Sequence, residues 1–200
     1  ALNAPNYQTL KINLIDLKKI KFVLHGVCSP VRELEKYIET FKLLSNQYEL
    51  NFLITKSDMV YYKHLLEISK NFKNIIFHEP VPTKKISKYI NQFDMSLIFI
   101  PPVNFNYVNC LPNKFFESIQ ARLGILSGPS FEMKKYIKKY NLGKISKDFS
   151  VESMVESIKS LKSKDIIMYK KQVNKYASMF SSENCLSDFK ESVLFDDLKI

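Results

Sequence analysis

Leu111-Pro112-Asn113-Lys114-Phe115-Phe116-Glu117 lies between two apolar runs, one closing at Pro101-Pro102 and the other opening at Gly124. It reads as the end of a loop and the first turn of a helix. Asn113 is a favoured N-cap, Phe115 and Ile119 fall four apart on one face, and Glu117 sits near the helix start, where the macrodipole favours a negative charge. Upstream, Met95 to Ile100 has the character of a strand; downstream, Gly124 to Ser127 is a second short buried strand. Between Pro101 and Cys110 runs a long loop, and in an open parallel sheet such a loop sits at the carboxyl end of a strand, where ligands bind.

Toward the N-terminus the same alternation repeats. Ile20 to Leu24 reads as a buried strand leading into His25-Gly26-Val27-Cys28-Ser29-Pro30-Val31-Arg32. Ser29 as N-cap with Pro30 at the first helical position predicts a helix start, and Leu34, Tyr37, Ile38, Phe41 and Leu44 follow at helical spacing. A strand, a glycine turn and a helix N-terminus together form an anion site, because unpaired amides and the dipole both favour phosphate. Gly26 allows the close backbone approach that such a turn requires. On residue type alone, Arg32 is an exposed helix charge beside an acid, and His25 is a strand-end histidine satisfied by backbone. Asn51 to Thr55 and Asn74 to His78 are the next strands. Ser57 or Asp58 caps a helix carrying Tyr61, Leu65, Ile68 and Phe72, and Thr83 opens another with Ile86, Tyr89, Ile90 and Phe93 inward. In the stiff turn Glu79-Pro80-Val81-Pro82, Val81 has a backbone N–H to offer and the prolines do not. His64 and His78 lack partners at metal spacing, which favours ordinary surface or core roles.

Toward the C-terminus, Ile125 to Ser127 is the fifth strand and Leu142 to Ser146 a short last one. Ser130 caps a helix with Met133, Tyr136, Ile137 and Tyr140 inward, and Ser150 caps the helix of Val151, Met154, Ile158 and Leu161. From Asp165, Ile166, Tyr169, Val173, Tyr176 and Phe180 line one amphipathic helix, and Leu186, Phe189 and Val193 a second. The alternation predicts an α/β fold: a Rossmann-like parallel sheet with right-handed crossovers, flanked by helices, with C-terminal helices appended.

Two hundred residues, 46% of them apolar, suit one core. No apolar run approaches the ~20 residues that span a bilayer, and Ala1-Leu2-Asn3-Ala4-Pro5 lacks the pattern of a signal peptide. Cys28, Cys110 and Cys185 are odd in number and widely spaced, which suits a reducing cytosol and not zinc. The net charge of +10 invites an anionic partner. Its lysines are nonetheless spread over nearly every predicted helix, so solvated surface lysine is the first reading, an anionic membrane surface the second and nucleic acid the last. Lys114 is unfavourable for the dipole at a first helical turn, a local conflict that sets a ligand role level with a solvated one. There is no Walker-type glycine loop, no His-Glu-x-x-His and no Asp-x-Asp, so a bound diphosphate would be offset by amides, a helix dipole and Arg32 or Lys114, without a metal or other cofactor.

The run Leu111 to Pro129, then Ser130-Phe131-Glu132-Met133, with His25-Gly26 followed by Arg32, resembles the C-terminal half of a retaining, family-4-type glycosyltransferase with the GT-B fold. The resemblance covers about residues 20 to 190, and the Ala177 to Asn184 helix break supports it. It implies that Glu117 is the second of two family glutamates and grips the ribose of a sugar nucleotide, while the first, nearest the transferred sugar, is replaced by Asn109. These two stand closest to the chemistry. The resemblance further implies Arg32 at the donor diphosphate, although Glu33 stands where the family often has glycine and Val27 where some members have arginine. It also places Val81 beside the base, backbone amides of Cys110 and Leu111 at the distal phosphate, and Asn113 and Lys114 beside them. Residues 1–18 become an interdomain linker remnant, 19–164 the nucleotide-sugar-binding domain, and 165–200 helices packing back toward an absent N-terminal domain that holds a glycan or lipid-linked acceptor. Implied is a cytoplasmic enzyme of bacterial surface polysaccharide or capsule synthesis, at the inner face of the membrane. The alternatives are a non-catalytic nucleotide-binding or assembly module of the same fold, a basic nucleic-acid or anionic-surface binder, and a sugar-nucleotide epimerase, which fits Leu111 to Glu117 less well.

Overall fold

A computed structural model describes residues 4–13, 15, 16, 18–100 and 111–184. Six strands form one sheet in the order β3-β2-β1-β4-β5-β6, with every pairing parallel. They are β1 (Ile20–Gly26), β2 (Tyr48–Ile54), β3 (Ile75–Phe77), β4 (Met95–Ile98), β5 (Gly124–Ser127) and β6 (Gly143–Ile145). The helices are α1 (Glu35–Lys42), α2 (Met59–Ser69), α3 (Ile86–Ile90), α4 (Asn113–Gln120), α5 (Phe131–Tyr140), α6 (Val151–Lys159) and α7 (Ser163–Tyr176). The strand order reverses between β1 and β4, and the crevice outside the strand ends at that switch point is where such sheets bind ligands.

Strand alternation divides the core into two layers. Phe22 and Leu24 of β1, Leu50, Phe52 and Ile54 of β2, and Met95 and Leu97 of β4 share one cluster with Ile38 and Phe41 of α1, Leu65 of α2 and Met154 and Ile158 of α6. Val23 and Leu53 face the other way, with Ile90, Phe93, Ala121 and Leu123. Beside these, Ile98 and Ile125 pack with Phe115, Phe116 and Ile119 of α4, Met133 and Ile137 of α5 and Val173 of α7. With helices on both faces, every residue of β2, β4 and β5 is buried, the polar Glu49, Asn51, Ser96 and Ser127 included. Each fully buried Phe or Leu contributes roughly 2 kcal/mol of transfer free energy.

Several local expectations are corrected. The helix expected to start at Ser29-Pro30 is a three-residue 3₁₀ turn, Pro30–Arg32, and the Ser29 side chain makes no cap bond. Glu33 then adopts a left-handed conformation (φ 49°), so α1 begins only at Glu35. A turn this short has no run of aligned peptide dipoles to favour an anion. Thr83 likewise opens a 3₁₀ turn, Thr83–Lys85, before α3. Asn113 is not the N-cap of α4. Pro112 occupies that position in extended conformation, without a side-chain cap bond, and Asn113 is the first helical residue. Asp58 and Ser150 do cap, accepting from the amides of Tyr61 and Ser153. Ser130 holds the cap position of α5, but its buried hydroxyl has no partner. The expected helix of Leu186, Phe189 and Val193 lies outside the described residues.

Candidate functional site

The site is built at the switch point by β1 and by the helix that follows β4. Along β1, the period of two that sends Phe22 and Leu24 to one face sends Val23 and His25 to the other, where α4 packs. From Phe115 to Gln120, α4 is buried at every residue. Glu117 therefore places a carboxylate in a nearly closed setting, 9% exposed, where it needs a donor. His25, 1% exposed, supplies it: Nε2 lies 2.9 Å from Glu117 Oε2. A carboxylate only accepts, so the hydrogen is on Nε2 and the histidine donates. Burial holds the imidazole below its ordinary pKa, with Glu117 opposing and Lys114 adding to the shift. The other ring nitrogen, Nδ1, is buried without a partner among the described residues, so backbone there does not satisfy His25 as expected. Among the described residues, no hydrogen bond reaches Glu117 Oε1.

One turn earlier on α4, Lys114 lies over Gly26. Gly26 has φ +126°, and a Cβ there would fall 2.7 Å from Lys114 Cε and 3.1 Å from Nζ. The backbone conformation is what calls for glycine, since the neighbouring atoms are the movable end of the lysine side chain. Burial, and secondarily Arg32, pull the Lys114 pKa down to about 8, against the opposing effect of Glu117. Arg32 ends the 3₁₀ turn and borders a water-sized hollow with Tyr37, Phe99 and Phe149. Tyr37 fixes the backbone there, its hydroxyl donating to Phe99 O (2.9 Å) and accepting from Phe99 N (3.1 Å).

Glu117 and Asn113, four residues apart on α4, form one wall of an open cavity of about 560 Å³. Volumes of this order suit small ligands and cofactors. Thr83, Lys84 and Ser87 form a second wall, and Ala4 to Asn6 with Gln8 a third. The second wall is steadied from beneath: Tyr89 OH lies 3.1 Å from His78 Nδ1, and His78 Nε2 lies 2.7 Å from Asn51 Oδ1. The third is clamped by long-range hydrogen bonds. Gln8 N donates to Gln120 Oε1 (3.0 Å), Arg122 Nη2 to Gln8 O (2.6 Å), Tyr7 N to the Glu183 carboxylate (3.0 Å) and Ser182 N to Pro5 O (3.0 Å).

Of the residues singled out from sequence, the fold brings Gly26, Lys114 and Glu117 together, with Arg32 near Lys114 and Asn113 on the cavity wall. Val81 does not line the cavity; it is half-buried, its side chain against the cluster of Val23, Leu53 and Ile90. Leu111 packs on the cluster under α4. Asn109 and Cys110 lie outside the described residues. The sequence reading missed His25 as a partner of Glu117, 92 positions away, and missed the N-terminal segment as a cavity wall. A histidine closing the apolar run Phe22-Val23-Leu24 was the available signal for the first. Among the described residues, no three His, Cys, Asp or Glu side chains gather as a metal site, and no helix is long and apolar enough to cross a membrane.

Strand order and switch-point crevice define a doubly wound α/β domain. No protein-family model and no curated protein matches the chain. Solved glycosyltransferases match it in fold. HepE of Anabaena, solved with UDP and glucose, aligns with TM-score 0.67 at 11% identity, over 88% of this chain and 48% of its own. WaaG, a glycosyltransferase involved in lipopolysaccharide biosynthesis, aligns with TM-score 0.57 at 17% identity, over 82% of this chain and 44% of its own. The C-terminal domain of the group 1 glycosyl transferase LpcC from Francisella tularensis aligns with TM-score 0.62 at 12% identity, over 82% of this chain and 87% of that domain. The architecture is the Rossmann-like domain of GT-B glycosyltransferases, and the chain spans less than half the length of WaaG or HepE.

Proposed function

We propose that this chain is the donor-binding part of a retaining, metal-independent glycosyltransferase. It binds a nucleoside-diphosphate sugar, and the complete enzyme moves a hexose-type sugar to a glycan or lipid-linked acceptor in surface-polysaccharide or capsule synthesis. The observation that carries this reading is the placement of Glu117 at the switch point, on the wall of the 560 Å³ cavity. An ionised carboxylate there accepts from both hydroxyls of a ribose. Lys114 and Arg32 offset the diphosphate, Gly26 permits its close approach, and the amides at the start of α4, with Leu111 before them, face it. Asn113, Thr83 and Lys84 border the nucleoside. Catalysis is then mainly positioning and stabilisation of the leaving nucleoside diphosphate. The acceptor is held by a separate domain.

Calorimetry with UDP-, GDP- and ADP-sugars tests the reading. One of them binds, and Glu117→Ala weakens it about 10- to 100-fold, the loss expected when hydrogen bonds to a charged group are removed. Unchanged affinity in the variant rejects the assignment, and loss of wild-type binding on adding a chelator rejects the metal-free mode. Asn109, where a glutamate is common in the resembled family, favours a second reading as a non-catalytic nucleotide-binding module. A transfer assay on the chain joined to an acceptor domain separates the two.

A further inference from the structure

We infer that His25 is a positioning residue for nucleoside recognition: it holds the Glu117 carboxylate in one orientation, with Oε2 engaged and Oε1 directed to the ribose hydroxyls. This deepens the reading of Glu117 given above and rests on it. The pair joins the two elements that flank the switch point, since His25 closes β1 and Glu117 belongs to the helix after β4. His25 is an uneconomical residue for packing alone. Its Nδ1 is buried with no partner, a cost that a leucine or phenylalanine at the end of the same apolar strand avoids. What the imidazole adds is the single donor that reaches Glu117 among the described residues. A carboxylate this enclosed, left without a donor, turns toward water, and that change spoils an acceptor aligned on a vicinal diol.

The prediction is specific to the sugar of the nucleoside. Glu117 facing a diol makes the wild-type chain prefer UDP, GDP or ADP over its 2′-deoxy counterpart by about tenfold, the loss from one missing charge-assisted hydrogen bond. His25→Leu and His25→Asn, neither of which places a donor where Nε2 was, lose most of that preference. His25→Gln, whose amide reaches the Nε2 position, retains it. Titration of the intact chain with the three diphosphates and their 2′-deoxy forms reads this out as a ratio, which a merely structural role of His25 leaves unchanged. In a Glu117→Gln background, His25→Leu produces no further loss of preference. If Glu117→Gln abolishes the preference while His25→Leu and His25→Asn keep it, the positioning role is wrong and the donor site stands. If no diphosphate binds, or Glu117→Gln leaves the preference intact, the donor-site reading fails and this inference with it. Should His25→Leu fail to fold, the Asn and Gln pair decides between the outcomes.

Discussion

At position 114 a lysine lies across a glycine with an arginine close by, and burial draws its pKa to about 8. A pyrophosphate bound beside it supplies the opposite charge and raises that pKa again. As the pH rises above about 8 the free site loses its charge at Lys114 while the complex keeps it, so binding takes up a proton; well below that pH Lys114 is already charged and contributes little. Calorimetry with the bound nucleotide sugar in buffers of different ionisation enthalpy measures the uptake. Lys114→Met abolishes the pH-dependent part, whereas an unaltered uptake in that variant removes Lys114 from the diphosphate site. Lys114 was identifiable in the sequence as a cation wrongly placed for the helix dipole, but its seat over Gly26, 88 positions earlier in the chain, was not.

Among the elements, α4 matters at both ends. Its start carries Lys114 and Glu117, and its finish is secured by Arg122, which adopts a left-handed conformation (φ 63°) and is wholly buried. The guanidinium donates to Asn174 Oδ1 on α7 (2.9 Å), to the carbonyls of Ile119 (3.2 Å) and Gln120 (2.7 Å) at the end of α4, and to Gln8 O. The last carbonyls of α4 thus receive a cation, and the cavity wall of residues 4–8 is tied to the same helix. Arg122→Ala destabilises the fold by about 3 kcal/mol through the carbonyls left unpaired. Arg122→Gly costs about 1 kcal/mol less, because glycine escapes the left-handed penalty. Urea unfolding of both variants measures the difference, and equal losses mean that residue 122 carries no backbone strain. By the same logic the left-handed Glu33, not Ser29 and Pro30, decides where α1 begins. Strong cap signals in the sequence were overridden there because the β1–α1 connection must first turn over Gly26.

For the molecule as a whole, a buried histidine, His25, and a half-buried one, His78, shape the acid side of stability. Burial lowers the pKa of His25 and of His78 from the ordinary 6.5. The unfolded chain then binds more protons between the folded values and 6.5, so stability rises with pH through that window and is fully present above it. Thermal unfolding shows a lower Tm at pH 5.5 than at pH 7.5, and substituting both histidines by Gln flattens the slope; an unchanged slope assigns the effect to other groups. What the sequence determined by itself was the local part of this protein. Six apolar runs separated by amphipathic segments permit little besides a parallel sheet covered on both faces, since unbroken buried strands need helices above and below. The order β3-β2-β1-β4-β5-β6 only the tertiary structure decided, and with it the crevice between β1 and β4. It also decided the pairing of His25 with Glu117, the seating of Lys114 over Gly26 and the use of residues 4–8 as a wall. Periodicity is carried by neighbours in the chain, whereas a buried donor and its carboxylate 92 positions apart meet only because the strand order makes β1 and α4 adjacent.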